Sequence, residues 1–223
     1  MSDRPELVIA IDGPSGAGKS STARGTACRL GLAFLDTGAM YRAVSWACLE
    51  DGVDLGDAGA LIDRASTADL QIGLDPRRPV VSLDGHDITR EIRTPRIAAH
   101  VSTVATIPQI RQLLTEQMRQ TIAAARRIVV EGRDITTVVW PQAQVKVLLV
   151  ADPETRIARR EAEVRGQAAH GEVIGSIIDR DRKDATVSQF ERPAPGVELI
   201  DSTYLDLGQV IDQVIGLVPV ALR

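Results

Sequence analysis

The segment GPSGAGKS, Gly13 to Ser20, has the spacing G-x-x-x-x-G-K-[ST] of a loop that cradles a polyphosphate. Its glycines let backbone N–H groups turn inward around phosphate oxygens. Lys19 can then reach the β- and γ-phosphates, and the Ser20 hydroxyl can reach a magnesium ion. A helix that begins near Lys19 adds the positive end of its dipole. The apolar run LVIAI precedes the loop and SSTARGTACRL, of helical period, follows it. That strand–loop–helix context is what the motif requires. Taken alone, it implies ATP or GTP with magnesium.

Two further stretches point to a second anion. In LDTGAMYRA, Asp36 and Thr37 end an apolar run and Arg42 follows one turn into a helix. In EGRDITTVV, Arg133 and Asp134 end another. Such strand ends form the ligand edge of an α/β sheet. Two arginines from different loops suit a compact anion such as a monophosphate, and Asp134 can accept N–H groups from a base. No Asn/Thr-Lys-x-Asp motif for reading guanine occurs, and there is no basic stripe for nucleic acid. A kinase of a nucleotide or small metabolite is favoured over a GTPase or a translocating ATPase. Phosphoryl transfer also needs water excluded, hence a closing lid. Residues 156–184 fit that role, with seven basic and six acidic side chains. Helical spacing puts Arg156 with Arg160, and Arg180 with Asp184, on shared faces; Arg156, Arg160 and Arg180 are the functional candidates.

The elements that would position these residues follow from the apolar pattern. Runs at 7–11, 32–35, 128–130, 145–150 and 197–200 are β-branched and largely unalternating, as in parallel strands buried on both faces. Segments of helical period lie between them, at 19–30, 38–49, 108–126, 153–166, 172–186 and 207–217. Asp152 and Pro153 read as N-cap and first helical residue. Residues 69–93 instead alternate apolar and polar, with turn chemistry at Asp75-Pro76 and a hairpin signal at Asp84-Gly85. The expected fold is α/β: a five-stranded parallel sheet flanked by helices, with a small antiparallel β insert and a helical lid.

The composition sets limits. The 223 residues carry a net charge of −4, so no global field draws the chain to nucleic acid or an anionic membrane. Cys28 and Cys48 fit neither a metal-ligand spacing nor a disulfide framework. No run reaches the length of a membrane span, and the N-terminal apolar run is too short for a signal peptide. A cytoplasmic protein is expected.

IDGPSGAGKSS, FLDTGAMYRA, EIRTPRIAAHVSTVATIPQIRQ, VVEGRDITTVV, PQAQVKVLLVADPETRIARR and IDST together resemble the bacterial cytidylate kinase family, from residue 7 to about 203. The resemblance implies ATP and CMP or dCMP as substrates, magnesium with the ATP, no nucleic-acid or membrane partner, and a monomer. It implies that Gly13, Pro14, Ser15, Gly16, Ala17, Gly18, Lys19, Ser20 and Ser21 hold ATP. Thr37 and Arg42 would meet the CMP phosphate side. Ser102, Arg111 and Asp134 would read cytosine, and Arg133 would hold the acceptor phosphate, with Arg180 and Asp184 also on the CMP side. It divides the chain into a core at 1–36, 105–152 and 187–223, a monophosphate-binding insert at 37–104 and a lid at 153–186. Cytosine enters only through this resemblance.

The chain departs from the family pattern in three places, the third a stretch with two changes. Thr136 replaces a glycine, and Trp140 a phenylalanine. In RDRKDATVSQ, Ala185 takes a serine position and Val187 an arginine position. That arginine would help hold the acceptor phosphate, and Lys183 or Arg192 are the candidates to replace it. Two alternatives stay open: a kinase of another small acceptor on this fold, or a nucleotide-binding module with weakened catalysis.

Overall fold

A computed structural model describes residues 5–164, 181, 182, 184–188, 190 and 192–223. The central sheet holds five parallel strands in the order β2-β6-β1-β7-β8. These are β1 (Leu7–Asp12), β2 (Ala33–Asp36), β6 (Arg127–Gly132), β7 (Val145–Val150) and β8 (Glu198–Asp201). The unalternating character of β1 has a direct cause. Val8 and Ala10 enter one hydrophobic cluster, Leu7, Ile9 and Ile11 enter another, and all are fully buried. Each cluster occupies one face of the sheet, so both faces of the central strand need apolar side chains.

The second-face cluster draws on α1 (Lys19–Leu30) and α7 (Leu207–Gly216); the first draws on α2 (Thr37–Glu50) and α5 (Pro108–Ala125). A separate antiparallel sheet pairs β3 (Leu70–Ile72), β4 (Val81–Leu83) and β5 (His86–Asp87) in that order. Asp84 and Gly85 both have positive φ, 51° and 81°, as the expected two-residue hairpin demands. The Asp75 turn forms too: its carbonyl accepts from Arg78 N–H at 3.1 Å. The insert is tied to the main sheet where Phe34 N–H donates to Leu74 O at 2.9 Å.

Two helices complete the insert without having been anticipated from periodicity: α3 (Ala58–Thr67) and α4 (Pro95–Ala105). Both open on a cap signal that was available, Asp57 accepting from Ala60 N–H and Pro95 at the first helical position. Helix α6 runs Pro153–Val164, and Asp152 caps it by accepting from Thr155 N–H at 2.6 Å. The anticipated helix at 172–186 lies largely outside the described residues. The cysteines are free, Cys48 buried and Cys28 half-buried. No described helix is long and apolar enough to cross a membrane.

Candidate active site

The P-loop leaves the C-terminal end of central strand β1 and enters α1. It passes so close to its neighbours that side chains are excluded. A Cβ at Gly13 would lie 2.0 Å from Leu149 O, and one at Gly16, where φ is 76°, would lie 2.6 Å from Arg156 O. Lys19 Nζ donates to Pro14 O at 2.8 Å, which curls the lysine over its own loop.

Beside this loop the other strand ends converge on one cavity of about 470 Å³. Its wall includes Ser15, Gly16, Gly18, Lys19, Ser20 and Ser21 from the P-loop and the start of α1, and Thr37, Arg42, Arg111, Arg133, Asp134 and Asp184 from other segments. The cations Lys19, Arg24, Arg42, Arg93, Arg111, Arg133 and Arg160 face four carboxylates, Asp36, Glu131, Asp134 and Asp184. A chain with net charge −4 thus concentrates positive charge where two phosphorylated ligands would meet.

The carboxylates arrange these cations. Asp36 ends β2 and caps α2, accepting from Ala39 N–H at 2.8 Å and from Arg42 Nη2 at 2.8 Å. Arg93 reaches the same oxygen more loosely, at 3.5 Å. Burial raises the Asp36 carboxyl, but Arg42 and Arg93 outweigh it and hold the group below the usual range. Arg42 Nε is buried with no protein partner, a donor still open to a ligand. Arg111 pairs with Asp134 and donates to Ala105 O at 3.0 Å. Burial, opposed by Arg111, lifts the Asp134 carboxyl.

Glu131, absent from the anticipated site, is central to it. It is 4% exposed, accepts from Ser20 Oγ at 2.6 Å, and its carbonyl accepts from Thr37 Oγ1 at 2.8 Å. Burial, then the neighbouring Asp36 charge, push its carboxyl up to about 7. Among the described residues no group of three or more His, Cys, Asp or Glu side chains forms a metal cage. Magnesium does not require one: it keeps several waters and shares phosphate oxygens with one or two protein ligands. The Ser20 hydroxyl and the adjacent Glu131 carboxyl are oxygen donors of that kind, so the residues fit the ion. The sequence signal was EGRD itself, read for its Arg and Asp but not for its Glu.

Described residues of the segment expected to form a lid contact the P-loop. Asp181 accepts from Ser15 N–H at 3.0 Å and from Arg133 Nη1 at 3.1 Å, and pairs with Arg156. Burial opposes its ionisation, but Arg133, the Ser15 amide and Arg156 outweigh it and lower its pKa. Arg156 also donates to Ser15 O at 3.0 Å. Arg133 donates to Gly13 O at 3.0 Å and forms an ion pair with Asp184 at 3.1 Å, linking the P-loop to the segment around Asp184. Arg160 lines the cavity. Ser102 is buried behind the wall, its Oγ 3.3 Å from Asp184 Oδ1, and does not itself line the cavity. Arg180 and Lys183 lie outside the described residues. Val187 faces the cavity, whereas Arg192 is exposed and away from it.

Thr136 turns out to have a bond that a glycine could not make. Asp12, the last residue of β1, accepts from Ile135 N–H at 2.8 Å, Thr136 N–H at 2.8 Å and Thr136 Oγ1 at 2.7 Å. This pins the loop carrying Arg133 and Asp134 to the strand that launches the P-loop. Trp140 Nε1 is buried with no hydrogen-bond partner. A second cavity of about 270 Å³ lies against the P-loop between Arg159, Ala162, Leu205, Leu207 and Val210. Arg159 is fixed there by Ser202, at 2.9 Å to Oγ and 2.7 Å to O.

With this geometry established, comparisons with known proteins agree with one another. The profile of the cytidylate kinase family matches residues 9–219. A cytidylate kinase of Cutibacterium acnes is 57% identical over 224 residues, covering 100% of both chains. A cytidylate kinase of Streptomyces griseus is 44% identical, covering 96% of this chain and 94% of the relative. Among solved structures, a gluconokinase from Sinorhizobium meliloti aligns over 96% of this chain and 93% of its own, with TM-score 0.52 and 12% identity. That last likeness speaks to the fold alone.

Proposed function

The chain belongs to the cytidylate kinase family, and on that premise we propose that it transfers the γ-phosphoryl group of ATP to CMP or dCMP, giving ADP and CDP or dCDP. The observation that carries this reading is the single cavity in which a P-loop faces a second cationic wall made by Arg42, Arg111 and Arg133.

An acceptor phosphate is already an anion, so the transfer needs alignment and charge neutralisation more than a catalytic base. An acceptor phosphate oxygen attacks the γ-phosphorus as the bond to the β-phosphate's bridging oxygen breaks. Residues Gly13 to Ser21 hold the triphosphate. Lys19, Arg133, Arg156 and Arg160 stabilise the charge that spreads over the moving group. Thr37, Arg42 and Arg133 take the acceptor phosphate, with Arg42 Nε as an open donor. Arg111 and Asp134 present a donor and an acceptor to the cytosine edge, while Ser102 and Asp184 lie on the nucleoside side, where Arg180 would also act. Ser20 and Glu131 would hold magnesium on the protein side, and the ion would supply further charge neutralisation. The apolar pocket beside Arg159 suits the donor's planar base.

In this reading the core comprises residues 1–36, 105–152 and 187–223, the monophosphate-binding insert 37–104 and the lid 153–186. The enzyme in this reading works on diffusible nucleotides as a cytoplasmic monomer. Coupled ADP release with CMP, dCMP, UMP and AMP tests the reading. CMP and dCMP should far exceed AMP, and Lys19→Ala should abolish turnover. Equal rates with AMP would refute the cytosine assignment.

A further inference from the structure

Arg133 is held on three sides. Through Nη1 it donates to Gly13 O and Asp181 Oδ1, and its Nη2 forms an ion pair with Asp184 Oδ2. Its guanidinium carbon lies over the ring of Phe190, with Cζ 4.6 Å from the ring centroid. Phe190 is only 2% exposed, so packing fixes the ring and the ring in turn offers the cation a fixed face.

These contacts differ in what a phosphate does to them. The edges of a guanidinium recognise carboxylate and phosphate oxygens, while its face stacks on aromatic rings. A phosphate therefore competes with Asp181 and Asp184 for the edges and leaves the contact with the Phe190 ring alone. The aromatic contact is the one able to persist while the edge partners exchange. Val187, three residues before Phe190, adds no charge to the same wall. Alignment there falls more heavily on the plane of one guanidinium.

Resting on the reading of Arg133 as the arginine that meets the reacting phosphates, the geometry points to Phe190 as a positioning residue for phosphoryl transfer. Its ring sets the plane of Arg133 so that both edges address phosphate oxygens. A guanidinium free to rotate would have to be ordered again at each turnover, and the loss would fall on kcat more than on KM for ATP.

The test is stepwise fluorination of Phe190 in the full-length enzyme by site-specific incorporation of mono-, di- and trifluorophenylalanine. This keeps the ring's shape and weakens its negative face. The expected result is a progressive fall in kcat with CMP, reaching about 3- to 30-fold across the series. The thermal midpoint should stay unchanged. Phe190→Leu, which keeps an apolar side chain there, should fall at least as far as the trifluoro enzyme. A flat kcat across the series overturns the proposal, and a Leu variant that merely melts earlier would then assign Phe190 to packing alone. Arg133→Ala, measured alongside, separates the two levels. Lost turnover there with a flat series sinks only the role of Phe190, whereas retained turnover overturns the reading of Arg133 and the proposal with it.

Discussion

Replacing Thr136 by valine isolates one hydrogen bond at the junction of the two substrate sites. Valine has the same branched shape, so the change removes the hydroxyl donor and little else. Thr136 is 6% exposed and its Oγ1 lies 2.7 Å from Asp12 Oδ2. A hydrogen bond to a charged acceptor contributes about 1.5–3 kcal/mol. For a chain of this size each kcal/mol corresponds to about 2–4 °C in Tm, so the expected loss is about 3–12 °C at neutral pH. The pH dependence provides a sharper test. Burial pushes Asp12 up to about 6, against the three donors that favour its ionised form. A carboxyl whose folded pKa lies above its unfolded value costs stability when ionised. That cost is absent below the unfolded pKa and complete above the folded one. Removing a donor raises the folded pKa further. The penalty of Thr136→Val should therefore be larger at pH 8 than at pH 5, where Asp12 is mostly protonated in both proteins. Urea unfolding at the two pH values reads this directly, with Asp12→Asn as background. An equal penalty at both pH values, or the same penalty in the Asn background, would refute the argument.

Three further expectations follow from the site. Asp181 occupies donors that a phosphate would use, the Ser15 amide, Arg133 and Arg156, so Asp181→Asn should tighten ATP binding severalfold by calorimetry and raise ATP hydrolysis without acceptor; weaker ATP binding would contradict this. Glu131→Gln keeps the shape beside Ser20 but loses the anion, and should raise the magnesium needed for half-maximal activity by about 10-fold or more; an unchanged magnesium titration would remove Glu131 from the metal's surroundings. Asp134→Asn breaks the buried pair with Arg111 and should lower the CMP-over-UMP ratio of kcat/KM by about 10- to 100-fold. An unchanged ratio would exclude Asp134 from base reading.

The sequence by itself determined what local chain physics controls. Gly13 to Ser20 specify a phosphate loop because eight consecutive residues carry all of its glycines, its lysine and its hydroxyl. The buried run of β1, the Asp84-Gly85 hairpin and the Asp152 cap were legible for the same reason: each depends on neighbours a few residues away. Helices α3 and α4 are less legible, although Asp57 and Pro95 mark their starts, because the alternating insert between them dominates the pattern. What only the tertiary structure decided involves pairs far apart in the chain. Asp12 meets Thr136, Ser20 meets Glu131, and Ser15 meets Asp181, at separations of 124, 111 and 166 residues. No periodicity encodes such pairs, since they arise when parallel strands bring their C-terminal ends to one edge. The same burial sets the charge states of Asp12 and Glu131, whose carboxylate pKa values rise chiefly because folding strips away their water.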